Sequence, residues 1–113
     1  MLKLYSKDWR RNILDNYRVE INPKAIRDLD NIFAYIAFDK LSPQNARGQV
    51  ERIKNSILRL KRFPFSHQER EEGRFANMGY RQLIIDNYIV IYRIDEIGKV
   101  VYIVTIQYQA QDF

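Results

Sequence analysis

Apolar and polar residues change period several times along the chain, and each change marks an element. Tyr17-Arg18-Val19-Glu20-Ile21 alternates strictly, as a half-buried strand does. Asn22-Pro23 follows, pairing a good N-cap residue with one preset for the first helical turn. Ala25, Ile26, Leu29, Ile32, Phe33, Ile36 and Ala37 then recur at helical spacing and predict an amphipathic helix of about four turns. Ser42-Pro43 repeats the start signal. Ala46, Val50, Ile53, Ile57 and Leu60 form one stripe of a second helix, which should end near Phe63-Pro64. The link between the two is short, so they should form an antiparallel hairpin.

Residues 65–78 are polar and weakly periodic, and read as a loop. From Gly79 the period falls to that of strands. Tyr80–Ile85, Tyr88–Ile94 and Val100–Gln107 read as three strands, joined by turn chemistry at Asp86-Asn87 and Glu96-Ile97-Gly98-Lys99. Short links between consecutive strands make an antiparallel meander. The predicted fold is α+β: an N-terminal strand, a two-helix hairpin on one face of the sheet, then a three-strand meander. The near-continuous apolar runs of the last two strands place them centrally. The other face of the sheet, or part of it, is left to hold a site. Two regions are expected: an N-terminal arm, 1–16, in which Trp9, Ile13 and Leu14 could form a short amphipathic turn, and a domain at 17–113. The arm either packs on the domain or helps bind a partner.

Composition narrows the chemistry. The 113 residues are 46% hydrophobic, enough for one core. The absence of cysteine excludes disulfides, thiolate metal sites and cysteine nucleophiles. His67 is the only histidine, so multi-histidine metal sites are excluded as well; no metal and no cofactor is expected. No apolar run reaches the ~18 residues of a membrane span and no signal peptide is evident, so the expected location is cytoplasmic. The net charge of +5 suits a nucleic acid, an acidic partner or plain solubility.

Order and spacing together resemble the RelE/ParE toxin superfamily of type II toxin–antitoxin systems. Three segments carry the resemblance. Tyr17–Leu29 runs a strand straight into a helix. Leu60-Lys-Arg-Phe-Pro closes the hairpin. Gly79-Tyr-Arg-Gln-Leu is followed by Asn87-Tyr-Ile-Val-Ile-Tyr-Arg-Ile-Asp and Val100-Val-Tyr-Ile-Val. The resemblance covers residues 17–113. It implies a growth inhibitor neutralised by a cognate antitoxin, aimed either at DNA gyrase, as ParE-like members are, or at mRNA in the ribosome, as RelE-like members are. Fold alone does not choose between these targets.

Transphosphorylation of RNA needs cations around the scissile phosphate and a group that moves protons. The resemblance places a nuclease arginine where this chain has Ile89, and a second cation or histidine in Gln107-Tyr108-Gln109-Ala110-Gln111, which has neither. These departures favour a ParE-like inhibitor. The alternatives are a ribosome-dependent, metal-independent endoribonuclease with a substitute site from Arg81, Arg93 and Tyr108, or a degenerate module that only binds antitoxin. His67 is either a general acid or base, or a surface residue.

Arg47, Arg52, Lys54, Arg59, Lys61 and Arg62 make the second helix basic and are candidate contacts to rRNA, DNA or an acidic antitoxin; a solvated outer face is the alternative. Tyr80, Tyr88, Tyr92, Tyr102 and Tyr108 could stack bases but more often fill a core. Phe38, Leu41 and Leu58 are the candidate apolar surface for antitoxin.

Overall fold

The computed structural model describes residues 17–109, so the arm at 1–16, with Trp9, Ile13 and Leu14, and the tail from Ala110 with Gln111 lie outside the described residues. Strand β1 (Arg18–Ile21) leads into helix α1 (Pro23–Ala34), which is prolonged by a π-helical turn, Tyr35–Asp39. Helix α2 (Pro43–Leu58) runs back and tightens into a 3-10 turn at Arg59–Lys61. After a loop with one more 3-10 turn, Gly73–Phe75, come β2 (Arg81–Ile85), β3 (Tyr88–Asp95) and β4 (Val100–Tyr108). The predicted α+β order is the observed one.

The sheet order is β1-β4-β3-β2. β2, β3 and β4 form the expected antiparallel meander, while β1 pairs parallel to β4 and makes the sheet mixed. The strands with the longest apolar runs, β3 and β4, are the central ones, because a strand flanked on both edges and covered on its faces must be apolar throughout. Helix stripe and sheet interdigitate through Leu29, Ile53, Ile57, Leu60, Leu83, Val90, Tyr92, Val101 and Ile103, all buried. Each such aliphatic side chain contributes about 1.5–3 kcal/mol of burial.

Two helix-start signals act by position alone. Asn22 and Ser42 occupy the N-caps, each before a proline, but neither side chain makes a capping hydrogen bond. Asn22 instead donates its N–H to the Ile103 carbonyl at 3.0 Å and finishes the β1–β4 ladder. The predicted stripe of α1 also overreaches: Ile26 is 48% exposed.

β1 ends opposite Ile103, and a bulge leaves Val104 unopposed between the pairs Tyr92↔Ile103 and Ile91↔Thr105. The edge of β4 beyond that point has no strand beside it. Asp28 of α1 takes its place. Its Oδ2 accepts the Ile106 N–H at 2.9 Å and the Thr105 hydroxyl at 2.7 Å, and Lys24 Nζ bonds its Oδ1 at 3.0 Å. One carboxylate thus ties α1 to the sheet and satisfies a backbone donor that would otherwise be stranded.

Candidate functional site

Three surfaces could carry function: the strand residues suited to RNA chemistry, the basic side of α2, and the apolar tip of the helical hairpin.

The strand residues do not converge. Arg81 is in register with Tyr92 and lies on the helix side of the sheet, where it donates to the His67 carbonyl and sits 5.1 Å from the Phe65 ring centroid. Arg93 neighbours Tyr92 along β3, so it points to the opposite side, and its guanidinium lies 4.2 Å from the Tyr102 ring. Tyr108 pairs with Tyr88 at the far end of β3. That end is five residues from Arg93, roughly 16 Å at strand rise. A substitute nuclease centre from Arg81, Arg93 and Tyr108 is therefore not assembled.

Ile89 is 6% exposed and Ile91 is fully buried, so the face opposite the helices is covered at its centre rather than left open. Arg70, itself buried, reaches that face and donates from Nη1 to Gln82 Oε1 at 2.8 Å. The glutamine-rich end of β4 has a structural task. Gln109 donates its backbone N–H to the Asn87 carbonyl and its Nε2 to the Asp86 carbonyl, clamping the β2–β3 turn.

That turn is also held to α2. Asp86, with φ 54°, accepts from Arg52 Nε and Gln49 Nε2, both at 2.9 Å. The bonds from Arg52 and Gln49 hold the Asp86 carboxyl below the usual carboxylate range. Arg52 is thus taken up in this latch, and Arg59 donates to Ser56 Oγ at 3.0 Å. Arg47, Lys54 and Arg62 lie exposed along the outer side of α2 and its 3-10 extension, with Leu58 among them, while Lys61 is half-buried. Of the six cations, Arg52 belongs to the latch, Arg59 is held by Ser56, Lys61 is half-buried, and Arg47, Lys54 and Arg62 face outward.

His67 is half-buried, its ring edge-on to Tyr92 at 6.5 Å. Burial, then the charges of Arg59 and Arg81, lower its pKa from the ordinary imidazole value. Tyr88 and Tyr92 are core residues, 8% and 0% exposed, and cannot stack bases. The Tyr92 hydroxyl donates to the Pro64 carbonyl at 2.8 Å. Tyr80 packs edge-on against Phe75.

The hairpin tip is the most apolar surface. The π-turn swings Phe38 outward, 68% exposed, beside Tyr35, 49%, and Leu41, 83%. Leu41 adopts φ 55°, a left-handed conformation that costs a leucine more than an asparagine or glycine. The fold gives no reason for a leucine there. Leu58, 50% exposed, does not belong to this tip: it closes the far end of α2, about 22 Å away at helical rise. Tyr35, in the same π-turn as Phe38, adds a half-exposed aromatic that the sequence pattern does not single out.

A family model described as the ParE toxin of the type II toxin–antitoxin system parDE matches residues 19–113. Among solved structures, the fold matches a chain of the chromosomal ParDE toxin–antitoxin system of P. aeruginosa with TM-score 0.66 and 22% identity, covering 81% of this chain and 95% of that one. It also matches a chain of the RelBE2 toxin–antitoxin complex of Mycobacterium tuberculosis with TM-score 0.52 and 25% identity, covering 81% and 96%. No curated protein matches.

Proposed function

Because the chain belongs to the ParE toxin family of type II toxin–antitoxin systems, we propose that it is a growth-inhibiting toxin neutralised by a cognate antitoxin, and that its target is DNA gyrase rather than mRNA. The dispersal of Arg81, Arg93 and Tyr108 over two faces and two ends of the sheet carries the choice of target. Phosphoryl transfer needs its cations within hydrogen-bond reach of one phosphate, and these three residues cannot share one. Buried, neutral Ile89 supplies nothing in their place.

Tyr35, Phe38 and Leu41 are the proposed anchors for the antitoxin, which would lay an apolar helix face or strand over the hairpin tip. No helix among the described residues is long and apolar enough to cross a membrane, in keeping with action in the cytoplasm.

Expression of the chain without antitoxin tests the reading. The expected outcome is growth arrest with loss of plasmid supercoiling and intact mRNA. Rapid codon-dependent mRNA cleavage would replace it with the ribosomal target. No arrest, from folded protein, would reduce the chain to an antitoxin-binding module.

A further inference from the structure

Tyr17, the first described residue, is fixed beside the end of α2. Its N–H donates to the Lys61 carbonyl at 3.2 Å, its ring stands edge-on to Phe65 with 6.2 Å between centroids, and Lys99 Nζ lies 5.2 Å from its ring centre. The turn that follows Arg62 is held as firmly. Ser66 donates its N–H and its hydroxyl to the Phe63 carbonyl, at 3.3 and 2.8 Å, and the Pro64 carbonyl accepts the buried Tyr92 hydroxyl at 2.8 Å. This anchored turn nevertheless holds Phe63 55% and Phe65 47% exposed. Two phenylalanines fixed in water by a rigid turn keep apolar surface hydrated, and a covering side chain relieves that cost.

We propose that the arm, residues 1–16, folds back over this turn and packs Trp9 on Phe65 and Phe63. The arm joins the domain at Tyr17, whose ring already touches Phe65, so it starts on the patch it covers. Eight residues separate Trp9 from Tyr17, roughly 12 Å as helix and up to about 28 Å extended, and either length lets the indole return to Phe65. Ile13 and Leu14, closer still to Tyr17, add aliphatic cover. So short a tether keeps the indole at an effective concentration on the order of millimolar, which a second copy or a foreign partner has to exceed. Aromatic contacts are enough to hold a group already so close. Charge does not draw the arm in. Lys3, Lys7, Arg10 and Arg11 outnumber Asp8 and Asp15, and Lys61 and Lys99 flank the turn, so the contact is apolar and the arm's cations stay in water. The packing is independent of the toxin's target. It lies at the end of α2 opposite the hairpin tip and leaves Phe38 and Leu41 open to an antitoxin.

Trp9 is the chain's only tryptophan, so its fluorescence reports on the arm alone. In the full chain its emission should be blue-shifted from that of the urea-unfolded protein and shielded from acrylamide, and both readings should hold on dilution and in high salt. Replacing Phe63 and Phe65 by serine together should lower the ratio of docked to free arm about tenfold and move both readings toward their unfolded values. Phe38→Ser, at the other end of α2, should leave Trp9 unmoved. Both phenylalanines are half-exposed, so the double variant should keep its far-UV spectrum. Should it not fold, nuclear Overhauser contacts between the Trp9 indole and the Phe65 ring in the unaltered chain carry the test, and their absence would count against the proposal. A Trp9 as red and as readily quenched as in urea would overturn it. So would a shielded Trp9 indifferent to the serine replacements, which puts the arm elsewhere, or shielding lost on dilution, which makes the occupant a second copy. Release by salt would show that charge and not apolar contact holds the arm, and would overturn it as well.

Discussion

Tyr92 shows how one side chain serves the core and a loop together. Its ring is fully buried under the helices, yet its hydroxyl reaches the Pro64 carbonyl and anchors the chain where it leaves α2. Burial pushes its pKa up to about 12. A phenol whose folded pKa lies above its unfolded value near 10 stabilises the fold fully below pH ~10, and that contribution is lost as pH rises toward 12. Tyr92→Phe should therefore cost about 1 kcal/mol at neutral pH and flatten the decline in urea midpoint between pH 10 and 12. Equal alkaline declines in both proteins would refute this assignment. Leu41 poses the opposite case, an exposed apolar residue in a strained conformation. Leu41→Asn should raise stability by up to about 1 kcal/mol while weakening antitoxin binding about tenfold. Unchanged affinity by calorimetry would remove Leu41 from the docking surface.

Among elements, the join of α1 to β4 is the informative one. A parallel edge strand of only four residues leaves much of β4 uncovered, and the Val104 bulge turns Thr105 toward the helix. Asp28 then does for the Ile106 N–H what a longer β1 would have done. Asp28→Ala strands that donor and the Thr105 hydroxyl, and should cost about 2 kcal/mol in urea unfolding. It should also speed hydrogen exchange at the Ile106 amide, whereas Asp28→Asn, which keeps an acceptor oxygen, should fall between. An unaltered Ile106 exchange rate would mean that the carboxylate is not a strand substitute. The β2–β3 turn is fastened in the same manner by Asp86, Gln49 and Arg52, so two polar latches hold the helices to the sheet.

For the whole molecule, the distribution of polarity separates the surfaces by task. The apolar hairpin tip lies at the Phe38–Leu41 end of α2, and half-buried Lys61 and exposed Arg62 lie at its other end. An antitoxin that binds only the folded chain should stabilise it by about 2.7 kcal/mol at a free concentration one hundred times its Kd, read as a rise in Tm that grows with antitoxin concentration. A Tm independent of antitoxin would contradict binding to the native fold. Replacing Phe38 and Leu41 by serine together should abolish that rise.

Much of this architecture is written in local pattern. Period-two and helical spacing, proline after Asn22 and Ser42, and turn residues at Asp86-Asn87 place every strand and both helices, because each signal acts over a few neighbouring residues. The apolar runs of β3 and β4 likewise announce central strands. What the tertiary structure alone decides is which residues meet. Arg81 and Arg93 look like neighbours in sequence pattern, yet strand alternation and register put them on opposite faces. Leu58 shares an apolar, surface-facing character with Phe38 and Leu41, yet the length of α2 sets it apart, while the π-turn adds Tyr35. Asp86 meets Gln49 and Arg52 from a turn far along the chain from α2, so no spacing rule could have joined them. Local preference fixes an element; a site depends on the relative placement of several, and that is set by packing.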